Sequence, residues 1–306
     1  MQIFDNLNEI KSIEETSIAL GNFDGVHLGH QKLIKTTIEI AKERGLKSAV
    51  FTFSNHPRDL LPNAPKIKNI LYKHEKEELM EDLGVDYLIN IPFTREIMEM
   101  PPEEYVKKII VDKLRAKSVV CGFNHNFGYK ASGNVDTLYE LSLELGFSLK
   151  VINEQVVSST LIRNLIATGK VDECETYMGR PYAISGEVVV GNRLGRKLGF
   201  PTSNLVIDDS MVTPPNGVYV TFCVYNGKRY PSVTNVGVKP TIGNYGKNVE
   251  THIFDFDKIL YGKGITVEFL EMLRDEIKFD NVEELSEQII SDCATAKEFH
   301  KKNGFL

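Results

Sequence analysis

Two histidines stand three residues apart in a glycine-rich segment near the N-terminus, Ala19–His30. Apolar residues before the segment predict a strand and the pattern after it predicts a helix, so the segment should turn between them. A helix start offers free N–H groups and a positive dipole end that attract phosphate, and Gly25 and Gly29 permit close backbone approach. His27 and His30 could then stabilise charge on a phosphorus atom undergoing displacement. The alternative is a capping turn with two surface histidines.

A second candidate for phosphate binding is the run Ser158-Ser159-Thr160, which precedes an apolar-periodic helix. Hydroxyl side chains in this position would cap the helix without any further function. The same helix start could also hold phosphate, with Arg163 one turn inside the helix as the cation. The sequence leaves both interpretations open.

The second half of the chain concentrates glycine and positive charge within nine residues: Gly191, Arg193, Gly195, Arg196, Lys197 and Gly199. Loops of this composition hold anions through backbone N–H groups and positive charge. The spacing is not that of a Walker A loop. The alternative interpretation is a mobile basic hairpin.

Glu250 is a carboxylate among apolar neighbours in the predicted strand Val249–Phe254. A carboxylate that faces a barrel interior is costly unless it is paired or takes part in chemistry, whereas an outward-facing glutamate is ordinary. Asp255 and Glu268 are the competing carboxylates. Strand alternation places Asp255 on the face opposite Glu250, but it cannot exclude Glu268, which lies on another strand.

The first half of the chain alternates predicted strands and helices. The strands are Thr16–Leu20, Ser48–Phe53, Asp86–Ile91, Ser118–Cys121 and Ser148–Ile152, and the helices are about His30–Arg44, Lys73–Leu83, Pro102–Lys113 and Val135–Leu145. This alternation predicts β-α-β units and a parallel sheet. Because ligands of such sheets bind outside the carboxyl ends of the strands, the glycine- and histidine-bearing segments should converge there.

The second half changes character after two further predicted helices, roughly Ser159–Thr168 and Val171–Met178. Gly179-Arg180-Pro181 then breaks the pattern, which predicts a domain boundary near residue 182. Closely spaced strands without intervening helices predict an antiparallel barrel: Ile184–Val190, Gly217–Tyr225, Tyr230–Val238, Val249–Phe254 and Ile265–Leu270. One long helix, about Val282–Lys302, should close the chain.

The composition is that of a globular protein. The 306 residues correspond to about two domains, and 42% are hydrophobic, 25% are charged and the net charge is −6. The negative charge argues against general nucleic-acid binding. We find no apolar run near the ~18 residues of a membrane-spanning helix and no signal peptide. The four cysteines form no C-x-x-C pair, which predicts no zinc site and a reduced, cytoplasmic location.

The motifs, taken together, are similar to those of one family. The string GNFDGVHLGHQ, which starts at Gly21, resembles the H-x-G-H nucleotidyltransferase superfamily and, over its full length, the bacterial bifunctional riboflavin kinase/FAD synthetase family. Phe51–Pro57 resembles the family's T-F-x-P-H-P, Gly122–Gly128 its G-x-D-F-x-F-G and Val157–Arg163 its I-S-S-T-x-I-R. The matches continue in family order over nearly the whole chain.

The second half carries the riboflavin kinase motifs of the same family. Residues 201–204, P-T-S-N, resemble P-T-A-N, residues 250–256 resemble E-x-H-x-x-D-F, and residues 269–279 resemble a segment with L-R-x-E-x-K-F. Asn55 and Asn124 depart from the family, which has proline and aspartate there. Asn124 keeps a hydrogen-bond acceptor but loses the charge. The segment Val151–Ser158 is also short for the family.

The resemblance implies a Rossmann-like α/β nucleotidyltransferase domain at residues 1–182 and a β-barrel riboflavin kinase domain with a terminal helix at residues 183–306. The kinase would make FMN from riboflavin and MgATP, and the first domain would adenylylate FMN to FAD and release pyrophosphate. Small molecules are then the expected partners.

The family's roles carry over residue by residue. His27 and His30 would stabilise the α-phosphate, and Glu250 would be the kinase base. Thr202 and Asn204 would hold the magnesium–nucleotide, and His56, Asn124 and Arg274 would contact flavin. The remaining ATP and phosphate contacts would be Gly21, Asn22, Phe23, Gly29, Ser158, Ser159, Thr160, Arg163, Gly191, Gly195, Lys197 and Gly199.

Two other functions stay open at this stage. One is a riboflavin kinase whose adenylyltransferase domain is weak or inactive, because of Asn124 and the short segment Val151–Ser158. The other is a flavin-sensing binding protein that binds ATP without turnover. The intact H-x-G-H, P-T-S-N and Glu250 argue against this last interpretation.

Overall fold

The computed structural model describes residues 1–60, 64–153, 157–191, 195, 198–238 and 247–306. The chain divides into two compact units, Met1–Ser159 and Thr160–Leu306. We describe each unit by itself.

The described part of the first unit contains a six-stranded parallel sheet in the order β1-β4-β3-β2-β5-β6. Its strands are β1 (Gln2–Phe4), β2 (Thr16–Leu20), β3 (Lys47–Phe53), β4 (Tyr87–Ile91), β5 (Ala116–Gly122) and β6 (Ser148–Ile152). The chain passes from β2 through β3 to β4 on one side and then crosses to β5 on the other. The strand order therefore reverses at β2, and this reversal creates a ligand-binding crevice at its carboxyl end.

Helices cover this sheet: α1 (Leu28–Arg44), α2 (Lys73–Asp82), α3 (Arg95–Glu99), α4 (Pro102–Glu104) and α5 (Val135–Leu145). The α4 turn continues as a π-helix, Tyr105–Lys113. Apolar residues on the central strands β2 and β5 are buried, as expected for a parallel sheet covered on both faces; Ile18 and Val119 have no solvent exposure. The predicted α/β class with a Rossmann-like parallel sheet is confirmed for this unit.

The second unit begins within α6 (Ser159–Ala167), which is followed by α7 (Cys174–Met178). The strands are β7 (Tyr182–Glu187), β8 (Ser203–Val206), β9 (Gly217–Tyr225), β10 (Lys228–Val238), β11 (Lys247–Ile253) and β12 (Gly264–Asp275), and the last helix is α8 (Val282–Lys302). Within the described residues these six strands pair antiparallel in the order β7-β12-β9-β10-β11-β8. A bridge between Val189 and Asn204 brings the two ends together, so the sheet is a nearly closed barrel, as predicted.

Buried hydroxyl groups line the interior of this barrel. Thr221 hydrogen-bonds Ser232 at 2.8 Å and Thr234 at 2.7 Å, and Thr234 hydrogen-bonds Thr251 at 2.9 Å. Each hydroxyl is thereby satisfied without water, as burial requires. Helix α8 covers the opposite face of the sheet, where apolar residues such as Cys293 pack on the strands.

The structure also corrects several element predictions. Three elements were missed: β1, α3 and β8, the last inside the polar stretch after Pro201. Strand β7 begins two residues earlier than predicted, and β12 runs on to Asp275 through two register shifts. The predicted helix Pro102–Lys113 is α-helical only in its first turn.

The unit boundary lies before the predicted domain boundary near residue 182. The segment after Ser159 belongs with the barrel unit by its packing: Gly169 lies so close to Met272 that a Cβ atom would approach its sulfur to 2.6 Å. Within the described residues, no helix combines the length and apolar character needed to cross a membrane. The four cysteines are buried free thiols.

Candidate active sites

The turn after β2 forms the floor of a site at the point where the strand order reverses. Thr52 on β3 donates its hydroxyl hydrogen to the carbonyl of Asn22 at 2.8 Å, which holds the turn against the neighbouring strand. Phe23 is fully buried with φ 48°, and Gly25 has φ 82°. Gly25 suits this left-handed conformation because glycine has no Cβ atom. The turn therefore leads directly from a buried strand into α1.

His27 and His30 stack at the start of α1, with ring centroids 3.5 Å apart and planes 16° from parallel. His27 caps the helix: its Nδ1 accepts a hydrogen bond from the backbone N–H of His30 at 3.2 Å. Gly29 makes room for this geometry, since a Cβ atom there would lie 3.3 Å from the His27 ring. The structure thus contains the capping turn that the sequence analysis gave as the alternative interpretation. The same turn also brings the two imidazoles together.

Both imidazoles lie in a protected environment. His27 is 4% exposed, and Nδ1 of His30 is buried with no hydrogen-bond partner among the described residues. Burial, the neighbouring His27 and then Lys76 lower the pKa of His30 well below its usual range, so His30 is neutral at neutral pH. Nδ1 of His27 is an acceptor, so neutral His27 carries its proton on Nε2. The pair can therefore donate hydrogen bonds without being charged.

Ser158 and Ser159 lie at the wall of the same site. The hydroxyl of Ser159 donates to the carbonyl of Asp24 at 2.8 Å, and Asp24 in turn accepts a hydrogen bond from the backbone N–H of Ile70 at 3.0 Å. Thr160 and Arg163 follow on α6, in the part of that helix that belongs to the second unit. Their assignment to phosphate stays a prediction.

The turn after β2, the histidine pair, Ser158 and Ser159 line a cavity of about 750 Å³, which we call the first cavity. Polar groups on its wall include Gly21, Asn22, His27, Gly29, His30, Asn124, Ser158 and Ser159. A volume of this size accommodates large ligands. His56 is not among the described lining residues: its Nδ1 accepts a hydrogen bond from the backbone N–H of Arg58 at 3.1 Å, and it is Pro57 and Arg58 that reach the cavity.

Five aromatic side chains form one continuous wall of the first cavity, which we call the aromatic wall: Phe51, Phe53, Phe93, Tyr105 and Phe127. Neighbouring rings lie 4.8 to 6.3 Å apart, centroid to centroid. Rings at these distances pack with the tilted or edge-to-face geometry that aromatic pairs prefer. The first cavity therefore has a polar end near the histidine pair and an apolar wall suited to planar rings.

Three residues of this region escaped the sequence analysis. Asn55, noted only as a departure from the family, accepts a hydrogen bond from the Phe93 backbone N–H at 2.6 Å and donates one to its carbonyl at 3.2 Å. Lys76 is 9% exposed, and its ammonium lowers the pKa of His30. His125 lines the first cavity. Only His125 had a signal in the sequence, because it stands where the family motif G-x-D-F-x-F-G has phenylalanine.

A second cavity, of about 290 Å³, lies in the barrel unit between the strands and α8. Gly195 lies at its edge, close to Phe200: the backbone N–H of Phe200 donates to the Gly195 carbonyl at 2.7 Å, and a Cβ atom on Gly195 would clash with the Phe200 carbonyl oxygen. Gly191 packs on the side chain of Asn204, which a Cβ atom would approach to 2.8 Å. Lys197 and the two arginines of this loop lie outside the described residues.

Thr202 and Glu250 line this cavity, and Asn204 lies beside Glu250 on the neighbouring strand, although Asn204 is not among the described lining residues. Glu250 on β11 pairs directly with Asn204 on β8. Asn248 links the two strands, because its amide lies 3.3 Å from Oδ1 of Asn204 and 3.2 Å from Oε1 of Glu250. Strand β8, which the sequence analysis missed, therefore carries one member of the site.

Glu268 and Asp255, the two carboxylates that the sequence analysis weighed against Glu250, are not among the described residues that line the second cavity. Glu268 forms an ion pair with Arg229 at 2.8 Å. Asp255 is exposed in a turn after β11, with φ 53°. The geometry thus favours Glu250 over both.

Arg274 lines the second cavity and is held by Asp292 of α8. Its Nε and Nη2 donate to the Asp292 carboxylate at 2.9 and 2.7 Å, and Gln288 donates to the same carboxylate at 2.9 Å. The pair is largely buried, with the two side chains 19% and 9% exposed. This bidentate pair fixes α8 to β12 and holds the guanidinium at the cavity wall.

Comparison with known proteins assigns both units. Residues 9–164 match the family model described as FAD synthetase, and residues 178–300 match the one described as riboflavin kinase. A protein of Bacillus subtilis named bifunctional riboflavin kinase/FMN adenylyltransferase is 36% identical over 92% of each chain. A protein of the same name from Haemophilus influenzae is 34% identical over 98% of this chain and 99% of its own.

A solved structure has the same fold. A protein from Streptococcus pneumoniae, titled a macrolide-efflux protein, superposes with a TM-score of 0.86 at 29% identity, over 96% of this chain and 98% of that one. Its title describes that protein alone. The two family models and the relatives agree with the motifs of both cavities, and the chain belongs to the bifunctional riboflavin kinase/FMN adenylyltransferase family.

Proposed function

We propose that the chain catalyses both reactions of its family, the phosphorylation of riboflavin to FMN by the barrel unit and the adenylylation of FMN to FAD by the α/β unit. The observation that supports this most strongly is that each unit has its own polar cavity. The stacked His27 and His30 line one, and Glu250 with Thr202 lines the other.

In the first cavity the nucleophile needs no base. The FMN phosphate is already anionic, so its oxygen can form a bond to the α-phosphorus of ATP while the bond to the β-phosphate oxygen breaks and pyrophosphate leaves. Charge then builds up on the α-phosphate, and preorganised donors in a water-poor site stabilise such charge effectively. Neutral His27 and His30 supply these donors.

In the second cavity the nucleophile is a neutral hydroxyl. Riboflavin must lose a proton as its oxygen attacks the γ-phosphorus and the bond to ADP breaks. Three carboxylates line the cavity, Glu250, Glu276 and Asp292. Asp292 is paired with Arg274 and Glu276 accepts a hydrogen bond from Asn216, and we assign acceptance of this proton to Glu250. Arg274, which points its guanidinium toward the same cavity, contacts the flavin from the side of α8.

The donor set around Glu250 fits a magnesium ion. The hydroxyl of Thr202 and the amide oxygen of Asn204 are hard oxygen ligands of the kind that Mg²⁺ prefers, and Asn248 already orients the Asn204 oxygen. The ion would neutralise charge on the ATP phosphates. Thr202 and Asn204 would hold the ion. The phosphates would contact Gly191, Gly195, Gly199 and Lys197.

At the first cavity the phosphates of ATP meet Gly21, Asn22, Phe23, Gly29, Ser158 and Ser159, and the flavin meets Asn124. Phosphate contact by Thr160 and Arg163 and flavin contact by His56 rest on the family motifs alone, since none of these three residues is among the described lining residues of the cavity. Phe23 can contribute only its backbone, because its side chain is fully buried. The aromatic wall supports this division, since it offers the apolar surface that an isoalloxazine ring needs.

A chromatographic time course with riboflavin and MgATP tests the proposal. We expect FMN to appear first and FAD to follow. FMN alone would show that the adenylyltransferase unit is inactive, and ATP binding without either product would indicate a flavin-sensing protein. Supplying FMN and MgATP directly separates the first of these outcomes from a failure of the kinase.

A further inference from the structure

The side chain of Asn55 extends the pairing of β3 with β4 beyond the ends of the two strands. Regular pairing ends at Phe53 and Ile91, and one further backbone bond joins the N–H of Ser54 to the Ile91 carbonyl at 2.9 Å. The Asn55 amide then takes the place of a backbone group. Its Oδ1 accepts a hydrogen bond from the Phe93 N–H at 2.6 Å, and its Nδ2 donates one to the Phe93 carbonyl at 3.2 Å. One side chain therefore holds both backbone groups of Phe93.

These two hydrogen bonds, which we call the amide clamp, lie next to the aromatic wall of the first cavity. The ring of Phe93 packs edge-to-face on that of Phe53, with centroids 4.8 Å apart and planes at 72°. The chain then enters α3, whose Ile97 and Met98 line the same cavity. Asn55 is not among the described lining residues, so its effect on a ligand must pass through the segment that it holds.

The amide clamp depends on a residue in which this chain departs from its family. The family motif T-F-x-P-H-P has proline where this chain has Asn55, and proline has no side-chain amide to make either bond. Without the clamp, the segment after β4 would lose conformational freedom when a ligand packs on Phe93, and this loss would weaken binding. Hydrogen bonds that form before the ligand arrives remove that cost.

We propose that Asn55 is a positioning residue of the FAD-forming site, which holds the backbone of Phe93 and thereby preorganises the aromatic wall for the isoalloxazine ring of FMN. This inference rests on the proposed function. Both substrates carry a planar ring system, and a continuous wall of five aromatic side chains suits the larger one, the isoalloxazine ring. A purely structural clamp would stabilise the fold without any effect on the affinity for FMN.

The test is Asn55→Ala in the full-length chain. FAD formation would be followed at saturating MgATP to obtain kcat and the KM for FMN, and at saturating FMN to obtain the KM for ATP. Loss of the two hydrogen bonds should raise the KM for FMN about tenfold. The kcat, the KM for ATP and the rate of riboflavin phosphorylation should not change.

Asn134→Ala is the matched control. The side chain of Asn134 also holds a backbone group, because its Oδ1 accepts a hydrogen bond from the Thr137 N–H at 2.9 Å, but it is not among the described residues that line the first cavity. This variant should have a lower melting temperature and an unchanged KM for FMN. The control thus separates a loss of stability from a loss of positioning.

A double-mutant cycle shows whether Asn55 acts through the ring of Phe93. Phe93→Leu keeps the backbone groups that the amide clamp holds but removes the aromatic ring. In that background, Asn55→Ala should have less than a twofold further effect on the KM for FMN, because coupled residues are not additive.

Three results would overturn the inference: a KM for FMN within twofold of the wild type in Asn55→Ala, a rise in the KM for ATP instead, or an equal effect of Asn55→Ala with and without the Phe93 ring. If Asn55→Ala does not fold, Asn55→Asp replaces it in the same measurements, since aspartate keeps the acceptor for the Phe93 N–H and loses the donor to its carbonyl. Wild-type protein that makes no FAD at all would overturn the proposed function instead.

Discussion

The residues of the two cavities differ in the proton chemistry that each reaction demands. His27 and His30 stack at 3.5 Å and His30 is kept neutral by burial, which suits hydrogen-bond donation to a nucleotide whose attacking partner is already an anion. Glu250 is a carboxylate on the wall of the second cavity, together with Thr202, which suits the proposed removal of a proton from a hydroxyl. Each residue type therefore matches the ionisation state of its own nucleophile.

The first prediction at this scale concerns His30. Replacement by alanine removes one preorganised donor from the first cavity and typically costs about 10²–10³ in rate. We expect His30→Ala to reduce FAD formation from supplied FMN by that factor and to leave riboflavin phosphorylation near normal. Both rates are measured on the same protein preparation, so the kinase reaction is the internal control. Equal loss of both activities in a folded protein would refute the assignment.

The second prediction separates Glu250 from Glu268. Glu250→Gln keeps the shape of the side chain and one hydrogen-bond acceptor but cannot take a proton, and positioned acid–base groups contribute about 10²–10⁴ in rate. FMN formation should fall by that range, while MgATP affinity and conversion of FMN to FAD persist. Glu268→Gln is the matched control, since Glu268 is paired with Arg229. Near wild-type turnover in Glu250→Gln with a large loss in Glu268→Gln would move the base to Glu268.

The third prediction is a pH dependence that follows from His125. Its pKa is about 4 in the folded chain and about 6.5 when unfolded. Between these values the unfolded chain binds the extra proton, so the free energy of unfolding must fall as pH falls from about 6.5 toward 4. His125→Phe removes this contribution. The free energy of unfolding of the variant minus that of the wild type should therefore be about 2 kcal/mol more positive at pH 5 than at pH 7.

Denaturant unfolding at the two pH values measures this change, with His74→Phe as the control, since His74 is an exposed histidine stacked on Tyr72 outside the described lining of the first cavity. The wild type and the variant share the other histidines, so these cancel in the comparison. An unchanged difference between pH 7 and pH 5 would mean that His125 titrates normally in the folded protein.

The same residues show how far a site can be predicted from sequence. The histidine pair and Glu250 were singled out because their types and surroundings suit the chemistry, and Thr202 was singled out by the resemblance of its segment to P-T-A-N. The structure places each of them at a cavity wall, and their roles stay predictions. Asn55 was not understood, because its partner Phe93 lies 38 residues away. Lys76 was missed for a similar reason: its charge lowers the pKa of His30, which lies 46 residues before it in the sequence, and no local pattern reveals such an effect.

At the scale of elements, the bounds of strands and helices with strongly periodic apolar residues were predicted well. Strands β2, β6 and β9 and helices α5 and α8 have the predicted bounds, because their apolar patterns and caps are local. Strand β8 has four residues, and it is a strand only through its pairing with β11. Long-range pairing of this kind cannot be inferred from a short polar stretch.

The fourth prediction concerns the contact between β12 and α8. Removal of one partner from a buried ion pair leaves an uncompensated charge and costs about 3 kcal/mol. We therefore expect Asp292→Asn to destabilise the barrel unit by about that amount and to slow FMN formation, since Arg274 and α8 both line the second cavity. FAD formation from supplied FMN should persist.

Thermal unfolding and the two activity assays measure these effects. Glu283→Gln is the control, because Glu283 is an exposed carboxylate on the same helix. If Asp292→Asn matched this control in both stability and kinase rate, the ion pair would not be what holds α8 on the barrel.

At the scale of the whole molecule, residues 160–182 pack as part of the second compact unit, and the domain boundary near residue 182 stays a prediction. Val171, Cys174 and Met178 are almost completely buried there. Tyr182, the first residue of β7, is fully buried, and its hydroxyl donates to the Val212 carbonyl at 2.6 Å. A fragment that starts at residue 183 lacks all of these side chains.

The last prediction follows from this packing. Fragments 160–306 and 183–306 each contain the whole second cavity, so each should make FMN from riboflavin and MgATP and make no FAD. Deletion of a large buried aromatic side chain costs about 3–5 kcal/mol, so 183–306 should unfold at a clearly lower temperature than 160–306. Calorimetry of both fragments, with kinase assays below both transitions, measures this. Equal stability would place the boundary of the folding unit near residue 182, and a folded 160–306 without kinase activity would contradict the assignment of that reaction to the barrel.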